Sequence, residues 1–123
     1  MNNMKLKIII NGSNVHGVGY RVMLVNKALT LGINNFNVFN TLLEGNQAVF
    51  AFIEGDEEVL EEFKDYVNTF RPDGAEVDRI SFEDYGNAIP PIERVMLAIQ
   101  MEQCCRDIPI ILKMLENQDV AKI

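Results

Sequence analysis

The sequence predicts a single α+β domain with a helical extension at its C-terminal end. Three observations support this. The chain has 123 residues, the length of one domain. Apolar residues make up 48% of it and charged residues 24%, which suits a packed core and not a disordered chain. The hydrophobic pattern alternates between strand and helix periodicity, in the order strand, helix, strand, strand, helix, strand.

The charge composition excludes several classes of partner. Eighteen acidic and eleven basic residues give a formal net charge of −7. Nucleic acids and anionic membranes bind basic surfaces, so we expect neither as a partner. No apolar run approaches the roughly 20 residues of a membrane span, and the run Ile8–Ile10 is too short for a signal peptide. We therefore expect a soluble, cytoplasmic protein.

The first third of the chain predicts a strand, a loop and a helix. Lys5 to Asn11 alternates in the manner of a strand. Gly12 to Gly19 is dense in turn-forming residues and is predicted to be a loop. Tyr20 to Leu31 carries apolar residues at helical spacing, and Gly32 ends this helix.

Four further elements complete the predicted domain, residues 1–86. They are strands at Asn35–Leu42 and Gln47–Ile53, a helix at Glu57–Phe70 capped by Asp56, and a strand at Glu76–Tyr85. A tight turn joins the first two of these strands into a hairpin. This order predicts an antiparallel sheet with both helices on one face, the ferredoxin-like arrangement.

Residues 87–123 form the predicted extension. A linker leads to a helix from Ile92 to about Asp107, and Pro109 kinks or restarts it. The third strand is apolar on both faces, so we expect this helix to cover the sheet face opposite the other two helices, as a structural part of the domain. The adjacent Cys104 and Cys105 are expected to be reduced core thiols, with redox or metal use as the alternative.

The extension carries a second apolar stripe that needs a partner of its own. The helix is apolar on nearly opposite sides, and one side is sufficient for packing on the sheet. We expect a homodimer about a two-fold axis. The alternative is that the segment after Pro109 folds back over this stripe within one chain.

The loop that leads into the first helix carries the strongest chemical signal. A strand enters it, glycines let the backbone curl, and a helix starts directly behind. Such a loop can direct several backbone N–H groups at one anion, and Arg21 could fork onto the same anion. Glycine spacing alone is also typical of an ordinary turn. It matches neither the dinucleotide-binding fingerprint nor the P-loop.

The residues of this loop resemble a known family. The segment Ser13–Arg21, SNVHGVGYR, resembles the acylphosphatase signature G-x-V-Q-G-V-G-[FY]-R, and Val38–Thr41 is similar to the family's second strand, which carries V-x-N-T. The stretches EGNQAVFAFIEGDEEVLEEF and RPDGAEVDRISFEDY also resemble the family, so the likeness covers about two-thirds of the chain. Ser13 stands where the family has glycine, and His16 where it has glutamine.

This resemblance implies an enzyme that hydrolyses acyl phosphates to a carboxylate and inorganic phosphate, without a cofactor or metal. It implies that Arg21 binds the phosphate and that Asn40 orients the attacking water. It also implies that a backbone cradle holds the same phosphate, formed by Val15, His16, Gly17, Val18, Gly19 and Tyr20. On their own, Arg21 could be a surface residue and Asn40 could bond its own turn.

The chain departs from the family after Tyr85. The family typically ends in a short fifth strand whose last residues lie near the catalytic arginine, and here that strand is absent or replaced. The alternative function is therefore a non-catalytic module that keeps the anion loop. Such a module would bind a phosphorylated or carbamoylated ligand or a protein partner.

Overall fold

The computed structural model describes residues 3–102 as a four-stranded antiparallel sheet with helices packed on one face. The elements are β1 (Met4–Gly12), α1 (Tyr20–Thr30), β2 (Asn35–Leu43), β3 (Asn46–Gly55), α2 (Glu57–Thr69) and β4 (Arg79–Asp84). A third helix, α3, occupies residues 92–102. The strand order is β2-β3-β1-β4. The predicted ferredoxin-like α+β fold is confirmed.

The core lies between the sheet and the helices. In the register of β1 with β3, Ile8 pairs with Ala51 and Ile10 with Val49, so these four side chains share one face, and all are fully buried. Leu24 of α1 and Phe63 of α2 pack on the same face. The helix face of the two central strands is therefore continuous and apolar, which matches strands covered by helices on that side.

β4 begins three residues later than the sequence predicts. The backbone of Gly12 approaches that of Glu76 so closely that any Cβ at position 12 would clash with the Glu76 carbonyl oxygen. Beyond this crossing, Asn14 and Glu76 still form an isolated bridge in the β1–β4 register. Glu76 therefore pairs with the loop after β1, and the regular ladder starts at Arg79.

The chain after β4 crosses to the opposite edge of the sheet and runs briefly along β2. The Phe36 amide donates to the Pro90 carbonyl at 3.0 Å, and the Ile92 amide donates to the Asn34 carbonyl at 2.8 Å. One isolated bridge joins Asn35 to Pro91. The fifth strand is thus replaced, among the residues described, by a single bridge that leads directly into α3.

α3 packs on the same face as α1 and α2. Ile92 and Val95 are buried members of the core that these helices share, and Met96 and Ile99 pack against it. Residues 92–102 therefore do not cover the opposite face, contrary to the sequence-based expectation. Cys104, Cys105 and Pro109 lie outside the described residues, as does the predicted end of the helix.

Aromatic side chains shield the opposite face of the sheet. The ring of Phe39 lies 5.8 Å from that of Phe50 and 5.7 Å from that of Phe52, and Tyr85 lies 4.7 Å from Phe52. The ammonium of Lys7 lies 4.5 Å from the centre of the Phe50 ring. Among the described residues, these contacts cover part of the apolar surface on this face.

Two sequence-based expectations concern surfaces of this fold. The homodimer through the C-terminal helix remains a prediction. The stripe comprises Leu97, Ala98, Met101, Cys104, Cys105 and Ile108. Its first three members are exposed, and the other three lie outside the described residues. Within residues 3–102, no helix combines the length and apolar character that crossing a bilayer requires.

The packing of α3 predicts a contrast between two truncations on the same helix. Ile92→Ala empties a core site that is only 2% exposed. We expect it to lower the free energy of unfolding by about 2–5 kcal/mol. Leu97→Ala, at a position 59% exposed, should change it by less than about 0.5 kcal/mol. Urea denaturation measures both, and equal values for the two variants would contradict an integral α3.

Candidate active site

The loop between β1 and α1 curls straight into the first turn of the helix. Gly17 and Gly19 adopt left-handed backbone conformations, with φ of 69° and 93°. Other residues adopt such angles only with strain, so glycine at these two positions permits the tight path. Gly19 is also the N-cap of α1. The loop backbone therefore wraps around the N-terminus of the helix.

The N-terminus of α1 is left open, in contrast to that of α2. Gly19 supplies no capping side chain, the first turn holds no acidic residue, and the first backbone bond of the helix comes from the Met23 amide. The preceding amides have no acceptor within the helix. In α2, the Asp56 side chain accepts from the Val59 amide at 2.9 Å, and Glu57 and Glu58 follow. α1 thus presents an uncompensated positive end to the loop.

Gln47 holds the entrance of the loop. Its side-chain oxygen Oε1 accepts hydrogen bonds from the amides of both Val15 and His16, each at 2.9 Å. The His16 ring donates from Nε2 to the Ala48 carbonyl at 2.8 Å. The amides of Val15 and His16, which the family resemblance implies in the phosphate cradle, are therefore engaged with Gln47.

Gln47 is absent from the site residues predicted above, although the sequence contains a signal for it. In the register of β3 with β1, Gln47 pairs with Gly12 and continues the helix-facing row of Val49 and Ala51. A polar residue that extends an apolar row needs a hydrogen-bonding partner on that face. The amides of Val15 and His16 are that partner. They are more than 30 positions from Gln47 in sequence, so local sequence patterns do not identify them.

Apolar side chains anchor the loop in the core. Val15 and Tyr20 are each only 1% exposed, so their side chains point away from any ligand. The Tyr20 hydroxyl is buried, and within residues 3–102 it has no hydrogen-bond partner. Burial raises the pKa of this hydroxyl, an effect that the nearby Arg71 guanidinium partly offsets. Tyr20 therefore stays protonated near neutral pH and can offer a ligand only its backbone.

Ser13 and Asn14 tie the start of the loop to the segment before β4. The Ser13 hydroxyl donates to Glu76 Oε2 at 2.7 Å. The Asn14 side-chain amide donates to the Gly74 carbonyl at 2.9 Å. Serine in the family's glycine position is therefore accommodated by an added bond on the far side of the loop.

A cavity of about 180 Å³ lies at the open end of α1. Arg21 and Asn40, 19 positions apart in sequence, both line it. The full lining comprises Gly17, Gly19, Tyr20, Arg21, Val22, Asn40, Ile99 and Glu102. Asn40 reaches it from the helix face of β2, where it pairs with Val49 of β3. This volume is below the roughly 300–1,000 Å³ of sites for drug-sized ligands, so the cavity suits a small ligand.

Arg21 makes a two-pronged ion pair with Glu102 of α3. Its Nη1 donates to Oε2 at 2.7 Å, and its Nη2 donates to Oε1 at 3.2 Å. This ion pair is not among the sequence-based predictions. A signal lies in the spacing of residues 92, 95, 99 and 102, which places Glu102 on the buried side of α3. A carboxylate at the end of an apolar stripe indicates a cationic partner on the packed surface.

The two hydrogen bonds from the loop amides to the Gln47 side chain predict a loss of stability when that side chain is removed. Gln47→Ala leaves the Val15 and His16 amides without their acceptor. The free energy of unfolding should fall by about 1–3 kcal/mol. Gln100→Ala removes an exposed glutamine from α3 and serves as the control. Urea denaturation measures both, and wild-type stability in Gln47→Ala would show that water replaces these hydrogen bonds at no cost.

Comparison with protein families finds that the acylphosphatase model matches residues 6–91. Comparison with curated proteins finds no match. Among solved structures, HypF in its phosphate- and nucleotide-bound form resembles the chain with a TM-score of 0.61 and 23% identity. That likeness covers 70% of this chain and 11% of HypF.

Two acylphosphatases also resemble this structure. That of Coxiella burnetii has a TM-score of 0.54 and 19% identity, with 69% of this chain and 83% of that one covered. That of Bacillus subtilis has a TM-score of 0.54 and 23% identity, with 68% and 87% covered. At these identities the structural likeness shows the fold alone. The family match spans well over half of the sequence, so the chain belongs to the acylphosphatase family.

Proposed function

We propose that this protein hydrolyses acyl phosphates to a carboxylate and inorganic phosphate. The observation that carries the proposal is the cavity at the open N-terminus of α1, which both Arg21 and Asn40 line. A guanidinium, uncapped backbone amides and a side-chain amide suit a phosphoryl group and a water molecule. Membership of the acylphosphatase family, shown by the match over residues 6–91, supports this proposal.

In this proposal the phosphoryl group binds at the end of α1. The amides around Gly17 to Arg21 donate to its oxygens, and the helix N-terminus adds a positive partial charge. Arg21 supplies the full charge that the phosphoryl dianion requires. The chain as a whole carries a net charge of −7, so this local arrangement provides the attraction.

The proposed chemistry depends on positioning and charge stabilisation. Asn40 orients a water molecule toward phosphorus, and the new phosphorus–oxygen bond forms as the bond to the acyl oxygen breaks. The electron pair of that bond leaves with the carboxylate, and the proton of the water moves to a phosphate oxygen. Because the carboxylate is a good leaving group, the reaction needs no nucleophilic side chain.

A non-catalytic binding module is the second candidate function. The ion pair of Arg21 with Glu102 favours it, because an engaged arginine is less able to stabilise a developing charge. HypF, of which this chain spans 11%, carries the fold within a much larger protein. Such a module would bind a phosphorylated or carbamoylated ligand, or a protein partner, without turnover.

Turnover of benzoyl phosphate separates the two candidates. The enzyme reading requires release of inorganic phosphate above the spontaneous rate, with saturation in substrate. The module reading requires binding of inorganic phosphate by calorimetry with no such release.

Replacing Arg21 should remove anion binding and turnover together. Arg21→Gln removes charge-assisted bonds worth about 1.5–3 kcal/mol, which corresponds to a loss of about 10-fold to 150-fold in phosphate affinity. Lys27→Gln removes one positive charge from the last turn of the same helix and is the control. Calorimetry with inorganic phosphate measures both variants. Near-normal affinity and turnover in Arg21→Gln would exclude this cavity as the active site.

Replacing Asn40 should separate turnover from binding. Asn40→Ala should lower kcat for benzoyl phosphate by at least about 100-fold, because a misplaced water reacts poorly. Phosphate affinity should change little, since the water is needed on the way to the transition state. Asn37→Ala, on the other face of β2, is the control. Equal losses of affinity and turnover would assign Asn40 to anion binding or to structure.

A further inference from the structure

The guanidinium of Arg21 already holds an anion supplied by the chain itself. Both terminal nitrogens donate to the Glu102 carboxylate, one to each oxygen. This is the geometry in which arginine binds a planar carboxylate or two oxygens of a phosphate. The Glu102 carboxylate therefore occupies the position on the Arg21 guanidinium where a phosphoryl group would bind.

The position of Glu102 is fixed by the packing of α3. Ile92 and Val95 are buried in the core, and Ile99 lines the cavity beside Glu102. All four residues lie on one side of the helix, so the apolar contacts direct the carboxylate at Arg21. A group held in this way competes as an intramolecular ligand, with a high effective concentration.

We propose that Glu102 is an autoinhibitory residue that competes with the phosphoryl group for Arg21. The proposal rests on the function proposed above for the same cavity. If the phosphoryl group displaces Glu102, it must first break the ion pair. If Glu102 stays, its negative charge repels the phosphoryl dianion across a few ångströms. In both cases Glu102 lowers the affinity for phosphate, and a movement of α3 away from α1 raises it.

The ion pair between Arg21 and Glu102 is weak enough for an anionic ligand to displace Glu102. The Arg21 side chain is 23% exposed and that of Glu102 is 40% exposed. Ion pairs with this access to water shift an equilibrium by at most about fivefold, and salt weakens them. The adjoining cavity leaves space for a small anion next to Arg21. Modest phosphate concentrations can therefore compete with the carboxylate.

The test compares phosphate binding in Glu102→Gln with that in the wild-type chain. The substitution keeps the size of the side chain and removes its charge. We expect inorganic phosphate, measured by calorimetry at low ionic strength, to bind roughly twofold to fivefold more tightly. The difference should shrink as salt is added. Glu93→Gln removes one negative charge from an exposed site on the same helix and should leave the affinity unchanged.

Three results would overturn autoinhibition. Unchanged affinity in Glu102→Gln would show that the carboxylate does not compete, and weaker affinity would show that it positions Arg21 for the ligand. An increase of the same size in Glu93→Gln would indicate a general charge effect and would also overturn the proposal. Glu102→Ala, compared in the same way, guards against a misfolded glutamine variant.

Benzoyl phosphate distinguishes failure of this proposal from failure of the proposed function. If the wild-type chain hydrolyses benzoyl phosphate while Glu102→Gln has the same KM and the same phosphate affinity as the wild type, the proposed function stands and autoinhibition is overturned. If Glu102→Gln binds phosphate more tightly but neither it nor the wild-type chain hydrolyses benzoyl phosphate, competition by Glu102 is supported and the non-catalytic binding module is favoured. Absence of phosphate binding in both chains would overturn both proposals.

Discussion

The buried pairing of β1 with β3 is the constraint on which the other features of this molecule depend. Ile8, Ile10, Val49 and Ala51 are removed from water on the helix face of the two central strands. A shift of register by one residue would turn this whole row to the other face, so the apolar pattern fixes the register. That register also places Gln47 opposite Gly12, at the point where the loop between β1 and α1 begins. The geometry of the loop is therefore a consequence of the core.

The charge at the end of α1 is produced by what the chain omits as much as by what it contains. α2 begins with a capping aspartate and two glutamates, which neutralise its N-terminus. α1 follows Gly19 and begins with Tyr20 and Arg21, which supply neither a capping side chain nor an acidic group to its first amides and add a cation. In a chain with a net charge of −7, this is a local attraction for anions. The two helix starts on one sheet face therefore differ in local charge, and that of α1 lies at the proposed site.

α3 connects the core to the cavity. Its apolar side contributes Ile92 and Val95 to the same packed cluster as α1 and α2, and Glu102 at the far end of that side meets Arg21. One helix therefore contributes both to the packing of the core and to the charge beside Arg21. Any change in how α3 sits on the domain also changes the charge that a ligand meets at Arg21.

The sequence by itself determined the order of elements, the glycine loop, and Arg21 and Asn40 as site candidates, because periodicity, turn chemistry and a short motif are local properties of the chain. Only the tertiary structure decided that α3 packs on the helix face, that Gln47 engages the first loop amides, and that Glu102 pairs with Arg21. Those partners lie 31, 32 and 81 positions apart. A pattern shows that a face is apolar or that a polar residue interrupts it. Which surface it meets depends on competition among all the faces of the folded chain. Here the aromatic rings of β2, β3 and Tyr85 shielded one side of the sheet, and residues 92–102 packed on the other.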